Sequence, residues 1–175
     1  KYVVFKIKNY IKGNVVEIGA GCGSFSRQYL KYGESKITLN DADKDNIRDL
    51  KEKFSNEDKV NVTEKNLKDL KEKFDTIIYF NVLEHIKEDD AEIKLSLEKL
   101  NTGGHLIILV PAHQKLYGNL DKAVGHYRRY DVDYFKKKFL NSELVHLSHI
   151  DTLGYVLYFL NKIFFKKEVF PTKLK

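Results

Sequence analysis

This sequence predicts an α/β fold with a doubly wound, mostly parallel sheet, and three observations predict it. Short apolar runs recur at residues 14–18, 36–40, 60–63, 74–80 and 105–110. Stretches with helical spacing separate most of them. The first run ends in a glycine turn, Gly19-Ala20-Gly21-Cys22-Gly23. Strands alternating with helices at this interval give βαβ units and a sheet buried on both faces.

Each element has its own signal. Residues 2–11 are lysine-studded and apolar at helical spacing, and they stop before Lys12-Gly13-Asn14. Residues 14–18 (NVVEI) read as the first strand, because β-branched side chains suit a buried pleat. Residues 25–31 start an amphipathic segment after the glycine turn. Residues 36–40 (KITLN) are a second strand closed by Asp41-Ala42-Asp43, and residues 44–54 a polar helix with Asp43 as its N-cap. Residues 60–63 and 74–80 (FDTIIYF) are the third and fourth strands. Residues 89–100 form a helix with Ile93, Leu97 and Leu100 on one face. Asn101-Thr102-Gly103-Gly104 reads as a turn, followed by an apolar fifth strand at 105–110 (HLIILV).

Beyond Pro111 the character changes. Residues 111–130 are polar and aromatic and too long for an ordinary connection, which marks a binding loop at the sheet's carboxyl edge. Residues 131–140 read as a helix, 143–150 as a sixth strand, and 152–167 as an aromatic-rich C-terminal helix. No repeat or low-complexity linker divides residues 1–175, so one domain is expected.

Composition narrows the class. The chain has 42% hydrophobic and 13% aromatic residues, as a globular domain does. Its single cysteine, Cys22, excludes a disulfide scaffold and a cysteine-based zinc cluster, and its place in the turn suggests a small space-filling role. No signal peptide is visible and no apolar run reaches the about 18 residues of a membrane span, so a cytoplasmic protein is expected. The net charge of +6 comes mostly from lysines scattered among acids, which argues against a nucleic-acid partner. Of four arginines, Arg128 and Arg129 stand side by side in the long loop.

The glycine turn carries the chemistry. Glycine permits positive φ and lets a ligand approach the backbone closely. The spacing is G-x-G-x-G, with Ser24 where a dinucleotide fingerprint has its third glycine. Glu17, at the end of the first strand, would repel a pyrophosphate and suits a cationic ligand. S-adenosylmethionine, with an ammonium, a sulfonium and no phosphate, fits that charge better than NAD. A plain tight strand-to-helix turn is the competing reading.

With these pieces in place, the chain resembles the class I S-adenosylmethionine-dependent methyltransferases over residues 14–150. The resemblance rests on VVEIGAGCGSF, on the strand-end acid in ITLNDAD, and on FDTIIYFNVLEHI. A further stretch, VPAHQKLYGNLDKAVGHYRRY, is similar to a bacterial branch associated with glycan or lipid assembly. The implied fold is a Rossmann-like sheet whose seventh, antiparallel strand is missing from this chain, since nothing after Phe170-Pro171 supplies one.

The resemblance implies roles for matching residues. Gly19, Ala20, Gly21 and Gly23 would lie against the methionine part of the cofactor, with Glu17 orienting its ammonium. Asp41 would accept from the ribose hydroxyls, and Ala42 would contact the adenine edge. Asn66 and Leu67 match the place that holds the adenine, although most members have Asp where Asn66 stands. Asn81 would face the sulfonium end.

On the acceptor side, His85 and His126 are the candidate catalytic groups, with His113 and Glu84 as further candidate bases, since a hydroxyl acceptor benefits from a positioned base. His113, Tyr127, Arg128 and Arg129 are the candidates for recognising the acceptor. The bland alternative pins the loop through arginine–carboxylate pairs, for instance to Asp121 or Asp131. For His85 it is packing or capping of the next helix. His105, in an apolar strand, reads as a satisfied structural residue. No metal is required by the sequence, because Asp89 and Asp90 begin a helix, where acids favour the dipole.

The expected partner is a small-molecule, sugar or lipid-linked acceptor. A non-catalytic binding module and an RNA methyltransferase are the alternatives. The 152–167 segment reads either as a lid over the acceptor or as an interfacial helix with weak peripheral membrane contact.

Overall fold

A computed structural model describes residues 2–32, 36–139 and 144–150. The chain divides into two compact units, Lys1–Tyr130 and Asp131–Lys175.

The first unit is built on five parallel strands: β1 (Val15–Ile18), β2 (Ile37–Asn40), β3 (Val60–Thr63), β4 (Phe74–Phe80) and β5 (Leu100–Leu109). Their order in the sheet is β3-β2-β1-β4-β5. The chain winds outward from β1 through β2 to β3, then crosses back to lay β4 on the other side of β1. Adjacent strands whose connections leave in opposite directions open a crevice at their carboxyl ends, the usual ligand position in such sheets. Here that crevice lies beyond Ile18 and Phe80.

Every side chain of β1 is buried, as a strand covered on both faces requires. On one face Val15 joins Val4, Tyr29, Ile37, Leu39, Leu50, Phe54 and Phe80. This layer is supplied by α1 (Tyr2–Ile7), α2 (Ser26–Tyr29) and α3 (Lys44–Lys53). On the other face Val16 and Ile18 join Leu67, Leu70, Phe74, Ile77 and Tyr79, with Leu95 of α4 (Asp89–Lys99) against them.

Asp43 caps α3 as expected, its carboxylate accepting from the amides of Asp45 and Asn46. Acids also fill the first turn of α4. Three expectations need correction. Residues 101–104 are not a turn before the fifth strand but part of β5, which pairs with β4 from Leu100 onward through a register shift between Phe74 and Thr76. The irregularity is absorbed by Gly103 at φ +74° and held by Asn101 Nδ2, which donates to Asp75 Oδ1 at 2.8 Å. Cys22 is exposed rather than space-filling, its Sγ 2.9 Å from Ser24 Oγ. His105 is not satisfied: its buried Nδ1 has no partner among the described residues, and desolvation lowers its pKa.

Residues 111–130 are more ordered than a bare loop. Tyr130 N donates to Pro111 O and His113 N to Tyr130 O, closing the segment at its base. Between them lie a 3-10 turn (Gln114–Leu116) and α5 (Asn119–Ala123).

In the second unit, α6 (Val132–Lys138) follows Asp131, matching the expected helix there. Residues 144–149 form neither helix nor strand, so the expected sixth strand is not found in the described part of that stretch. The expected C-terminal helix at 152–167 lies outside the described residues. Among the described residues no helix is long and apolar enough to cross a membrane.

Candidate functional site

The glycine turn is built as a cradle. Gly19, Gly21 and Gly23 have φ of +65°, +54° and +68°, a region that penalises any side chain. The three serve different ends. A Cβ on Gly19 would strike Val82 Cγ2 at 2.5 Å, so this glycine lets β1 and the end of β4 approach. One on Gly23 would strike Phe54 at 2.7 Å, so that glycine packs the turn against α3. A Cβ on Gly21 would meet nothing within 4 Å. Gly21 alone faces open space.

Two strand-end residues fasten the cradle. Ala20 N donates to Asn40 O at 2.8 Å, and Gly21 N donates to Asp41 Oδ2 at 2.7 Å. Asp41 Oδ1 accepts from Asp43 N and from Asn46 Nδ2. A carboxylate has about four acceptor sites, and three here are taken within the chain. Among the described residues, Asp41 therefore keeps one acceptor site for a further hydroxyl donor, on Oδ2. Ala42 is exposed beside it.

Glu17 sits deeper than the charge argument assumed. It is 1% exposed, and Ser26 Oγ and Tyr29 OH both donate to its Oε2, the latter at 2.6 Å. Burial pushes its pKa up to about 7, against the two hydroxyls that pull it down. Neither hydroxyl reaches Oε1.

Asn66 is exposed at the start of a 3-10 turn (Leu67–Asp69), whereas the Leu67 side chain is committed to the core. Sequence reasoning passed over Asn40, whose buried amide donates to the carbonyls of Thr63 and Lys65 and fixes the chain leaving β3. Its signal was an amide at the end of a buried strand. Asn81, just after β4, takes φ +54°, which Asn tolerates better than most residues. The chain turns there into Val82 and a 3-10 turn, Leu83–His85.

Next to this turn the long loop delivers a second cluster. Tyr127 N donates to Glu84 O at 2.8 Å, tying the loop to the end of β4. Glu84 is 0% exposed, and neither carboxylate oxygen has a hydrogen-bond partner among the described residues. Burial raises its pKa. His126 Nε2 stands 4.0 Å from Glu84 Oε1, and the His85 and His126 rings meet edge-on at 4.6 Å. Burial and the neighbouring His126 lower the pKa of His85. His126 Nδ1 lies 3.0 Å from Asp121 Oδ1, which also accepts from Arg129 Nε at 2.7 Å. Burial pushes the Asp121 carboxyl up, but these bonds outweigh it and hold it below the ordinary range.

The arginine pair is engaged within the chain. Arg129 pairs with Asp121, and Arg128 pairs with Asp89 and donates to Lys87 O. Tyr130 OH also donates to Asp89 Oδ2 at 2.9 Å. Of the carboxylates in the pinned-loop alternative, Asp121 pairs with Arg129; Asp89, which the sequence marks as a dipole-stabilising acid, is the second anchor. Tyr127, at 52% exposed, is the aromatic ring the loop presents outward. His113 adopts φ +65° at the loop's base.

Comparison with known proteins agrees with this architecture. Solved structures share it at low sequence identity. They include YcgJ from Bacillus subtilis (16% identity, TM-score 0.67, covering 78% of this chain and 65% of that one). A second is the N-methyltransferase NodS from Bradyrhizobium japonicum with S-adenosyl-L-homocysteine (17%, TM-score 0.63, 79% and 69%). A third is the glycopeptide N-methyltransferase MtfA with S-adenosyl-L-methionine (15%, TM-score 0.53, 62% and 52%). The chain spans about half to two thirds of the length of these structures. No protein of curated function matches the sequence. A family model described as a methyltransferase domain matches residues 7–150, and the chain belongs to that family.

Proposed function

We propose that this chain transfers a methyl group from S-adenosylmethionine to a small-molecule, sugar or lipid-linked glycan acceptor. The observation that carries the reading is the cradle at Gly21, open where a Cβ would stand and closed on one side by the Asp41 carboxylate. That space suits a ligand lying against bare backbone. Two of the structural neighbours hold S-adenosylmethionine or its demethylated product, which supports the same ligand here.

When bound, the cofactor supplies a methyl group on a sulfonium already primed to leave. The chain's own residues bind and orient. Gly19, Ala20, Gly21 and Gly23 would offer backbone to the methionine part, with Glu17 Oε1 toward its ammonium. Asp41 would take a ribose hydroxyl on Oδ2. Ala42, Asn66 and the backbone of Leu67 would border the adenine, and Asn81 the sulfonium end. Transfer of this kind depends chiefly on holding the acceptor atom in line with the bond that breaks.

The acceptor side falls to the cluster beyond Asn81. His85 and His126 would line that side, His126 oriented through Nδ1 by Asp121. Tyr127 and His113 would border it, while Arg128 and Arg129 brace the loop that carries them.

Calorimetry with S-adenosylhomocysteine tests the cofactor reading, and an absence of binding to folded protein would sink it. A cofactor-turnover screen against nucleotide sugars and lipid-linked glycans then identifies the acceptor.

A further inference from the structure

Glu84 poses a problem that methyl transfer alone does not answer. A carboxylate with no solvent exposure and no hydrogen-bond partner among the described residues is costly to keep. Buried acids of this kind are ordinarily paired, bonded or bound to a metal. Among the described residues, the basic groups beside Glu84 are two histidines rather than a lysine or an arginine, with the Asp121 carboxylate behind His126. One ligand atom from each of Glu84, His85 and His126 can be chosen so that all lie within 4.8 Å of one another.

We propose that Glu84, His85 and His126 bind one divalent transition-metal ion, with Asp121 as the outer partner of His126. Ligands on one such ion stand about 3–4 Å apart, given metal–ligand bonds of about 2.0–2.2 Å. The 4.0 Å between Glu84 Oε1 and His126 Nε2 already meets that spacing. His85, on the exposed side, offers a ring nitrogen within 4.8 Å of the other two ligand atoms.

The outer partner strengthens the argument. Metal-bound histidines commonly give their second ring nitrogen to a carboxylate, which fixes the tautomer and aims the free nitrogen. Asp121 does this through His126 Nδ1 at 3.0 Å, and is itself fixed by Arg129 and by the Gly118 amide. Nε2 is thereby the nitrogen turned toward Glu84. Two imidazoles and one carboxylate favour zinc, iron, cobalt or nickel over magnesium or calcium. Three protein ligands leave positions open for an oxygen or nitrogen of another molecule. That use of the ion, to hold the acceptor beside the cofactor crevice, rests on the methyl-transfer reading; the binding itself does not.

The test uses the whole chain, stripped with a chelator and titrated with Co²⁺, followed by ligand-field absorption and by Zn²⁺ competition. One ion per chain, with the spectrum of nitrogen ligation, is expected. E84Q and H126Q should weaken binding at least tenfold, and D121N about tenfold. H146Q, altering a histidine outside the cluster, should leave it unchanged. Circular dichroism checks each fold, and H85Q, on the exposed side, keeps the test decisive should the buried variants not fold. No uptake by the wild-type chain, or equal uptake by folded cluster variants, overturns the proposal. S-adenosylhomocysteine calorimetry on the same samples separates the two readings. Cofactor binding without metal uptake sinks only the ion, and uptake without cofactor binding sinks only the transferase.

Discussion

Glu17 and Tyr29 are joined inside the core by a 2.6 Å hydrogen bond, phenol to carboxylate, one turn behind the cradle. The acid that marks the glycine motif is thus a packed group of the α2 layer as well as a neighbour of the crevice. With its pKa near 7 rather than at the ordinary 4.5, the folded chain holds a proton that the unfolded chain has lost. Stability contributed by this group is complete below pH 4.5 and falls as pH rises to 7. Glu17→Gln removes that dependence. Wild type should lose up to about 3 kcal/mol relative to the variant between pH 4.5 and 8, measured by urea melts across the range. Parallel curves would show that Glu17 titrates normally.

The three glycines should separate by function. Gly19→Ala forces a methyl into Val82 at a left-handed φ and should cost about 2 kcal/mol or more in a thermal melt. Gly21→Ala meets no neighbour, so its stability cost should be about 1 kcal/mol, from φ alone. Its effect belongs in binding: S-adenosylhomocysteine affinity should fall at least tenfold by calorimetry. Unchanged affinity would place the ligand elsewhere.

Asp41 and Asp43 stand two residues apart with different work. Asp41→Asn weakens a charge-assisted bond to Gly21 N and the remaining site on Oδ2, and should reduce cofactor affinity about tenfold. Asp43→Asn keeps the N-cap of α3, since Asn caps as well as Asp, and should change neither affinity nor melting temperature. Equal losses from both would mean that Asp41 acts only through the fold.

Arg128→Ala should destabilise the chain by about 2 kcal/mol, because it leaves the buried Asp89 carboxylate short of a cation. The figure is discounted because the arginine is 30% exposed, against 6% for Asp89. Arg48→Ala breaks a pair whose members are 70% and 78% exposed and should change the melting temperature little. Similar shifts for both would remove Arg128 from the loop's anchorage.

The strands, the glycine turn and the Asp43 cap could be read from the sequence because each has a local cause: β-branched runs, positive-φ glycines, and a side chain bonding amides two and three residues ahead. The same locality explains the error at residues 101–104. Thr102-Gly103-Gly104 has the composition of a turn, and only the pairing of Leu100 with Phe74 makes it part of β5. The order β3-β2-β1-β4-β5 also lay within reach, since βαβ crossovers and a nucleotide-type turn after the first strand imply a switch point beside it.

The cluster of Glu84, His85 and His126 came from elsewhere in the physics. Glu84 and His126 are 42 positions apart, and nothing in either neighbourhood says that one ring nitrogen will face a buried carboxylate at 4.0 Å. That meeting depends on Tyr127 hydrogen-bonding to Glu84 O and on Tyr130 closing the loop against Pro111, contacts between segments distant in sequence. Local side-chain chemistry determined the sheet and its glycine turn. Which polar groups come together beyond Asn81 was decided only when the loop folded back, since burial and pairing belong to the packed chain and not to any stretch of it.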